Sequence, residues 1–248
     1  GKTEQRKIPK IIHQIWMGND PIPAEYIDSW KTKNSDFQHI LWNEEMIRSE
    51  GLINERIFND YEKIPYKGSK MYHGMADVAR VEILKRYGGI YIDADIECTN
   101  PIGKADFMDS DFFAAYQQDK EHATGEMLVA TGVIGAVKDH PILDDYIREI
   151  GKAKASVDAW KETGPLLFTK VLKRHKCLLL PAYSFYPESI DGKANSVAKN
   201  YGFHNWYSHN LNKHKVIIMA AGVGSRWNNY MGVPKTMIPI NREPILKR

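Results

Sequence analysis

Cysteine is scarce: the 248 residues hold two, Cys98 and Cys177, far apart and in no pairing motif. That excludes a disulfide framework and fits a reducing compartment. Long apolar runs are missing as well. No stretch approaches the roughly eighteen consecutive apolar residues of a membrane-spanning helix, and the opening Gly1-Lys2-Thr3-Glu4-Gln5-Arg6-Lys7 is polar, with no secretory apolar region. Charge of one sign is not in excess, and a net charge of +3 is too small to argue for a nucleic-acid partner. His13, His73, His122 and His140 show no spacing that forces a metal reading, and nothing resembles a zinc site. No side-chain pair reads as a nucleophile with its activating base. These absences point to a cytoplasmic protein, with Lys67, Lys70, Lys152 and Lys154 either a solvated face or an aid to peripheral docking at the inner face of a membrane.

What is present is the composition of a globular chain. Apolar residues make up 43% and charged residues 26%, enough for one α/β domain or one domain and a fragment. Six Trp and thirteen Tyr can furnish both a core and a stacking site. Short apolar runs alternate with helical periodicity. Strands are expected at Ile8 to Trp16, Asp36 to Trp42, Ile90 to Ile92, Asp111 to Gln117, within Gly125 to Val137, and at Cys177 to Leu180. Helices are expected at Ala24 to Lys33, Glu44 to Tyr61 with a break near Gly51, Met75 to Tyr87, Pro141 to about Lys154, and Leu166 to Arg174, with Lys67 to Lys70 a loop. The alternation is that of a mostly parallel sheet with helices on its faces.

The chain is organised around Tyr87-Gly88-Gly89-Ile90-Tyr91-Ile92-Asp93-Ala94-Asp95. A buried strand ends there in two carboxylates one residue apart. Like charges so close are costly unless something positive lies between them. A divalent cation suits carboxylate oxygens and would keep positions open for phosphate. The preceding helix carries Met75, Ala79, Ile83 and Tyr87 as an apolar stripe, and Gly88-Gly89 stops it. Asp77 and Arg80 are neighbours on its surface. They form either a surface ion pair of little value, or an acid for sugar or ribose hydroxyls and a guanidinium for phosphate.

Trp16 falls at the end of the first strand, before the turn residues Met17 to Pro23. It is either a core residue or, at the ligand-facing edge of a parallel sheet, a ring that stacks a nucleobase. His204 lies in the aromatic stretch Asn200 to His209 and is either structural or the third ligand of the ion. An imidazole would favour Mn²⁺ over Mg²⁺.

In order along the chain, Ile8-Pro9-Lys10-Ile11-Ile12-His13-Gln14-Ile15-Trp16, Ala76-Asp77-Val78-Ala79-Arg80 and Gly88 to Asp95 resemble the motifs of glycosyltransferase family 32. These DxD-containing sugar transferases are related to fungal initiating mannosyltransferases and clostridial glucosylating toxins. Thr163-Gly164-Pro165 and His204-Asn205-Trp206 match more weakly, and Ala76 stands where many relatives carry Ser. The resemblance covers Ile8 to about His209. It implies a GT-A fold, with a Rossmann-like, mostly parallel sheet. It also implies Mn²⁺-dependent transfer, with retention, of a hexose or N-acetylhexosamine from a nucleotide-sugar, UDP favoured. The acceptor would be a glycan or lipid-linked molecule, and the nucleotidyltransferase-like tail points to surface polysaccharide synthesis as its setting. Carried over, Ile15, Trp16 and Tyr91 would lie against the nucleoside, and Asp77 and Arg80 would hold the sugar and diphosphate. Asp93 would contact hydroxyls and the metal shell, Asp95 would ligate the ion, and His204 and Trp206 would close over the diphosphate. Asp77, Arg80, Asp93 and Asp95 would be the catalytic set.

The tail differs. Lys215 to Arg226, with Gly222, Gly224, Ser225 and Arg226, followed by Pro234-Lys235, resembles the phosphate loop that opens sugar-nucleotide and phosphocholine nucleotidyltransferases. The expected division is a transferase domain at 1–212 and an incomplete, inert nucleotidyltransferase-like piece at 213–248. The rival functions are therefore a nucleotidyltransferase, supported by the tail alone, and a non-catalytic nucleotide-sugar-binding module.

Overall fold

The computed structural model describes residues 7–188 and 200–205, which fall within one compact unit. Trp206, the tail residues Gly222, Gly224, Ser225, Arg226 and Lys235, and the boundary near 212 lie outside the described residues.

The chain alternates as expected, beginning β1 (Ile11–Ile15), α1 (Ala24–Lys33), β2 (Gln38–Trp42), α2 (Glu44–Glu50) and α3 (Glu55–Glu62). A small hairpin, β3 (Pro65–Tyr66) and β4 (Ser69–Lys70), leads into α4 (Tyr72–Tyr87), β5 (Gly89–Ile92) and β6 (Ile96–Cys98). Then come β7 (Phe112–Tyr116), β8 (Val129–Ala136), α5 (Pro141–Ile150), α6 (Ala159–Glu162), α7 (Pro165–Leu172), β9 (Leu178–Leu180) and β10 (Gly202–His204). The main sheet has the order β2-β1-β5-β8-β7-β9. β1 is parallel to both β2 and β5, and β7 is parallel to β9. β8 runs against both of its neighbours. One reversed strand thus sits inside an otherwise parallel sheet.

Two sequence expectations change in detail. The first strand starts at Ile11 rather than Ile8, and residues 67–70 belong to a hairpin rather than an open loop. Lys67 and Gly68 turn that hairpin with φ of +47° and +80°. Two of the lysines considered for docking are engaged locally, Lys70 with Glu62 at 2.6 Å and Lys152 with Glu149 at 2.8 Å.

The larger correction concerns α4. Its apolar residues do not form one stripe above a solvated face. Every residue from Gly74 to Leu84 except Ala76 is buried, the polar Asp77, Arg80 and Glu82 included. α3 and α5 both pack along it. A helix so enclosed must satisfy its charges internally. Glu82 does so by accepting the backbone N–H groups of Ile53 at 2.6 Å and Asn54 at 2.9 Å, at the start of α3.

The turn from α4 into β5 needs its two glycines. Gly88 and Gly89 have φ of +64° and +110°, and a Cβ at Gly89 would stand 2.5 Å from the Ile11 carbonyl oxygen. His13 fastens this turn to β1. Its Nε2 donates to the Gly88 carbonyl at 2.8 Å, and its Nδ1 accepts from Trp42 Nε1 at 3.1 Å. Both nitrogens of a neutral ring are thereby used, and burial lowers its pKa to about 4. The end of β5 is thus held in place from behind.

Candidate functional site

β5 ends at Ile92, and Asp93-Ala94-Asp95 turns the chain into β6. The turn is closed by the Ile96 N–H on the Asp93 carbonyl at 3.1 Å, while the Asp93 N–H bonds to the Gly132 carbonyl on β8 at 2.7 Å. β10 then runs antiparallel along β6 in a register that sets His204 opposite Ile96. The pairing continues with the Asn205 N–H on the Asp95 carbonyl at 3.0 Å. Pairing of β10 with β6 therefore delivers a histidine to the carboxylates. His204 Nε2 lies 3.2 Å from Asp95 Oδ1 and 4.0 Å from Asp93 Oδ2. One ligand atom from each of the three residues falls within 4.8 Å of the other two. Adjacent ligands of an octahedral ion with bonds of about 2.1 Å stand roughly 3 Å apart. Two carboxylates and an imidazole are a donor set that suits Mn²⁺.

Asp93 divides its oxygens. Oδ1 accepts from Tyr91 Oη at 2.9 Å and from Arg80 Nη1 at 3.2 Å, leaving Oδ2 on the His204 side. Arg80 also donates from Nη1 to the Thr131 carbonyl at 2.7 Å and from Nε to the Ala76 carbonyl at 3.2 Å, and its Nη2 pairs with Asp77 Oδ1 at 3.3 Å. A guanidinium has five N–H donors. Three are spent in hydrogen bonds to the protein, and Nη2 faces the Asp77 carboxylate as an ion pair. Burial opposes the Arg80 charge, but Tyr91, Asp93 and Asp77 beside it more than restore it, and its pKa lies above the usual value.

Asp77 and Arg80 are not a surface pair, since each is 5% exposed. Burial raises Asp77 to a pKa of about 6, against the pull of Arg80 and the Thr163 hydroxyl. The Tyr91 ring is buried under Arg80, whose Cζ lies 4.6 Å from the ring centroid, and its hydroxyl donates to Asp93. Ile15 packs into the apolar core. Trp16 is half-buried where β1 ends, and its indole N–H donates to the Asp20 carbonyl at 3.0 Å.

Three contributors escaped the sequence reading. Thr163, matched there only as part of a weak motif, donates to Asp77 Oδ2 at 3.1 Å. Tyr186 stacks on His204 with centroids 5.3 Å apart and planes at 22°. Gly132 lies under both: a Cβ there would be 2.3 Å from the Tyr186 hydroxyl and 2.5 Å from Asp93 Oδ2. A glycine inside a strand pattern signals such close approach, and that was the one available cue.

Residues 23–117 match the family model described as a glycosyltransferase sugar-binding region containing a DXD motif. The chain is 36% identical over 141 residues to an uncharacterized glycosyltransferase of Acanthamoeba polyphaga mimivirus, covering 55% of this chain and 53% of that one. It is 29% identical over 152 residues to inositol phosphoceramide mannosyltransferase 3 of Schizosaccharomyces pombe, covering 60% and 38%. The chain thus spans about half or less of the curated relatives it matches. In structure it is similar to PaToxG glycosyltransferase, with a TM-score of 0.52 at 20% identity, over 68% of this chain and 70% of that one. The fold is the α/β, GT-A fold.

Proposed function

We infer, from a chain that carries the DXD sugar-binding region of the glycosyltransferases, that it moves a hexose or N-acetylhexosamine from a nucleotide-sugar to a glycan or lipid-linked acceptor. The observation that carries this reading is the meeting of Asp93, Asp95 and His204 above the buried pair of Asp77 and Arg80. The first three would hold a Mn²⁺ ion, or Mg²⁺ in its place, which would supply positive charge against a diphosphate leaving group.

The chain's own residues do the rest. Arg80 turns an Nη2–H to the diphosphate, while its other donors hold Asp93 and the Thr131 and Ala76 carbonyls. Asp77 accepts from sugar hydroxyls, because each of its oxygens keeps a lone pair beyond its bond to Arg80 or Thr163. Trp16 stacks the base. No side-chain pair reads as a nucleophile with its activating base, so the reading favours retention by a front-face route, in which the leaving phosphate takes the acceptor's proton. A UDP-sugar is the first donor to try. The fungal relatives' names as mannosyltransferases favour mannose as the sugar, so a GDP-mannose arm belongs beside it. The setting proposed is surface polysaccharide synthesis on the cytoplasmic side of a membrane. Among the described residues no helix is long and apolar enough to cross one.

Asp95→Asn tests the reading. Hydrolysis of the preferred donor without acceptor is expected to require Mn²⁺ and to fall at least ~100-fold in the variant, with an unchanged melting temperature. A variant as active as the unaltered chain would contradict it.

A further inference from the structure

We propose that Thr163 is a positioning residue that, seated against the Tyr61 hydroxyl, aims the Asp77 carboxylate into the site. This rests on the reading of Asp77 as the group that holds the donor sugar.

The hydroxyl of Thr163 is within bonding distance of three atoms: Asp77 Oδ2 at 3.1 Å, the Ala159 carbonyl at 3.2 Å and Tyr61 Oη at 3.0 Å. It has one proton to give. The Ala159 carbonyl already accepts two backbone N–H groups, those of Thr163 and Gly164, each at 2.9 Å. The carboxylate offers the stronger, charge-assisted bond. The proton of Thr163 therefore goes to Asp77, and the Tyr61 hydroxyl, which also bonds to the Glu162 carboxylate, lies against the Thr163 hydroxyl at 3.0 Å. The directed bond is that of Thr163 to Asp77. With Arg80 on Oδ1 and Thr163 on Oδ2, the carboxylate plane is fixed from both sides.

The surrounding fold is cut to hold this chain of bonds. Tyr61 comes from α3 and lies flat across Gly74, one turn before Asp77 on α4; a Cβ at Gly74 would stand 2.7 Å from its ring. Tyr146, from α5, donates its hydroxyl to the Thr163 carbonyl. Gly164 lets the segment approach, since a Cβ there would meet Trp160 Cα at 2.8 Å and Asp77 Oδ2 at 3.2 Å. Thr163 itself is fully buried. Three helices thus converge on one residue, whose hydroxyl has the proposed sugar-holding carboxylate as its acceptor. Tight convergence of this kind matters because misaiming a substrate-holding group by about 1 Å can cost ~100-fold in rate.

The test compares Thr163→Val, Thr163→Ser and Tyr61→Phe with the unaltered chain in Mn²⁺-dependent donor hydrolysis. Mn²⁺ affinity and melting temperature are measured on the same samples. In Thr163→Val, kcat is expected to fall at least ~10-fold, KM to change less than ~3-fold, and Mn²⁺ affinity to stay level. Thr163→Ser, which keeps the hydroxyl, is expected to restore most of kcat, and Tyr61→Phe to fall between. If Thr163→Val does not fold, the Tyr61→Phe loss of kcat at unchanged Mn²⁺ affinity carries the test. A Thr163→Val or Tyr61→Phe enzyme with the unaltered kcat, or a serine variant as slow as the valine variant, would overturn the inference alone. An unaltered chain with no donor turnover would remove the functional reading and this inference together.

Discussion

Asp93 illustrates how one residue serves two masters. Tyr91 and Arg80 occupy Oδ1, and Oδ2 is left facing His204. Asp77 works under a different constraint, because burial raises its pKa from 3.8 to about 6. Between those values the folded chain holds the proton more tightly than the unfolded chain does. This group therefore makes stability fall as pH rises through that window, and its contribution is level above it. His13 acts in the opposite sense, its pKa lowered from 6.5 to about 4, so stability gains from it as pH rises over that range. Urea midpoints measured from pH 4 to 7 are expected to fall less steeply, or rise more steeply, with pH in Asp77→Asn than in the unaltered chain. Donor turnover by the unaltered chain is expected to rise as pH passes about 6 and Asp77 ionises. Parallel midpoint curves would show that Asp77 does not titrate there. Much of this site was legible residue by residue, because Asp77 with Arg80, and Asp93 with Asp95, declare themselves by spacing. Thr163 does not, since it reaches Asp77 across 86 positions of sequence.

At the scale of elements, the site is made by strands that carry little chemistry themselves. β8 brings Gly132 under Asp93, and β10 brings His204 beside Asp95. Gly132→Ala is expected to push the Asp93 carboxylate and the Tyr186 hydroxyl aside, lowering stability by about 1–3 kcal/mol and Mn²⁺ affinity at least ~10-fold. Gly125→Ala is the matched control. Its φ is +77° but a Cβ there meets nothing within 4 Å, so backbone strain is its sole burden and Mn²⁺ binding should not change. Equal Mn²⁺ affinity in the two variants would disprove the close packing under Asp93. The longer helices of this fold were readable to within a few residues from periodicity, α1 to its very ends, whereas the short α6 was not. The surroundings of α4 were not. A helix enclosed on nearly every side shows no polar face to measure against, and Asp77, Arg80 and Glu82 imitate one.

The whole molecule is an alternating α/β chain, and that much follows from short apolar runs between helical segments. The insertion of β8 between β5 and β7, reversed, does not follow, because local periodicity carries no information on strand order. That order matters to function: it places Thr131 and Gly132 where Arg80 and Asp93 need a backbone carbonyl each. It also sets the β5 end, held by His13 from behind, against the β6–β10 pair that carries His204. The central claim is that these elements assemble a single divalent-ion site. The most direct measurement is an electron paramagnetic resonance titration of Mn²⁺ into the unaltered chain and into Asp93→Asn, Asp95→Asn and His204→Ala, with and without a nucleoside diphosphate. The expected result is one Mn²⁺ per unaltered chain, bound more tightly when the nucleotide is present, and at least ~10-fold more weakly in each variant. Mn²⁺ binding of the same strength in all three variants would contradict it.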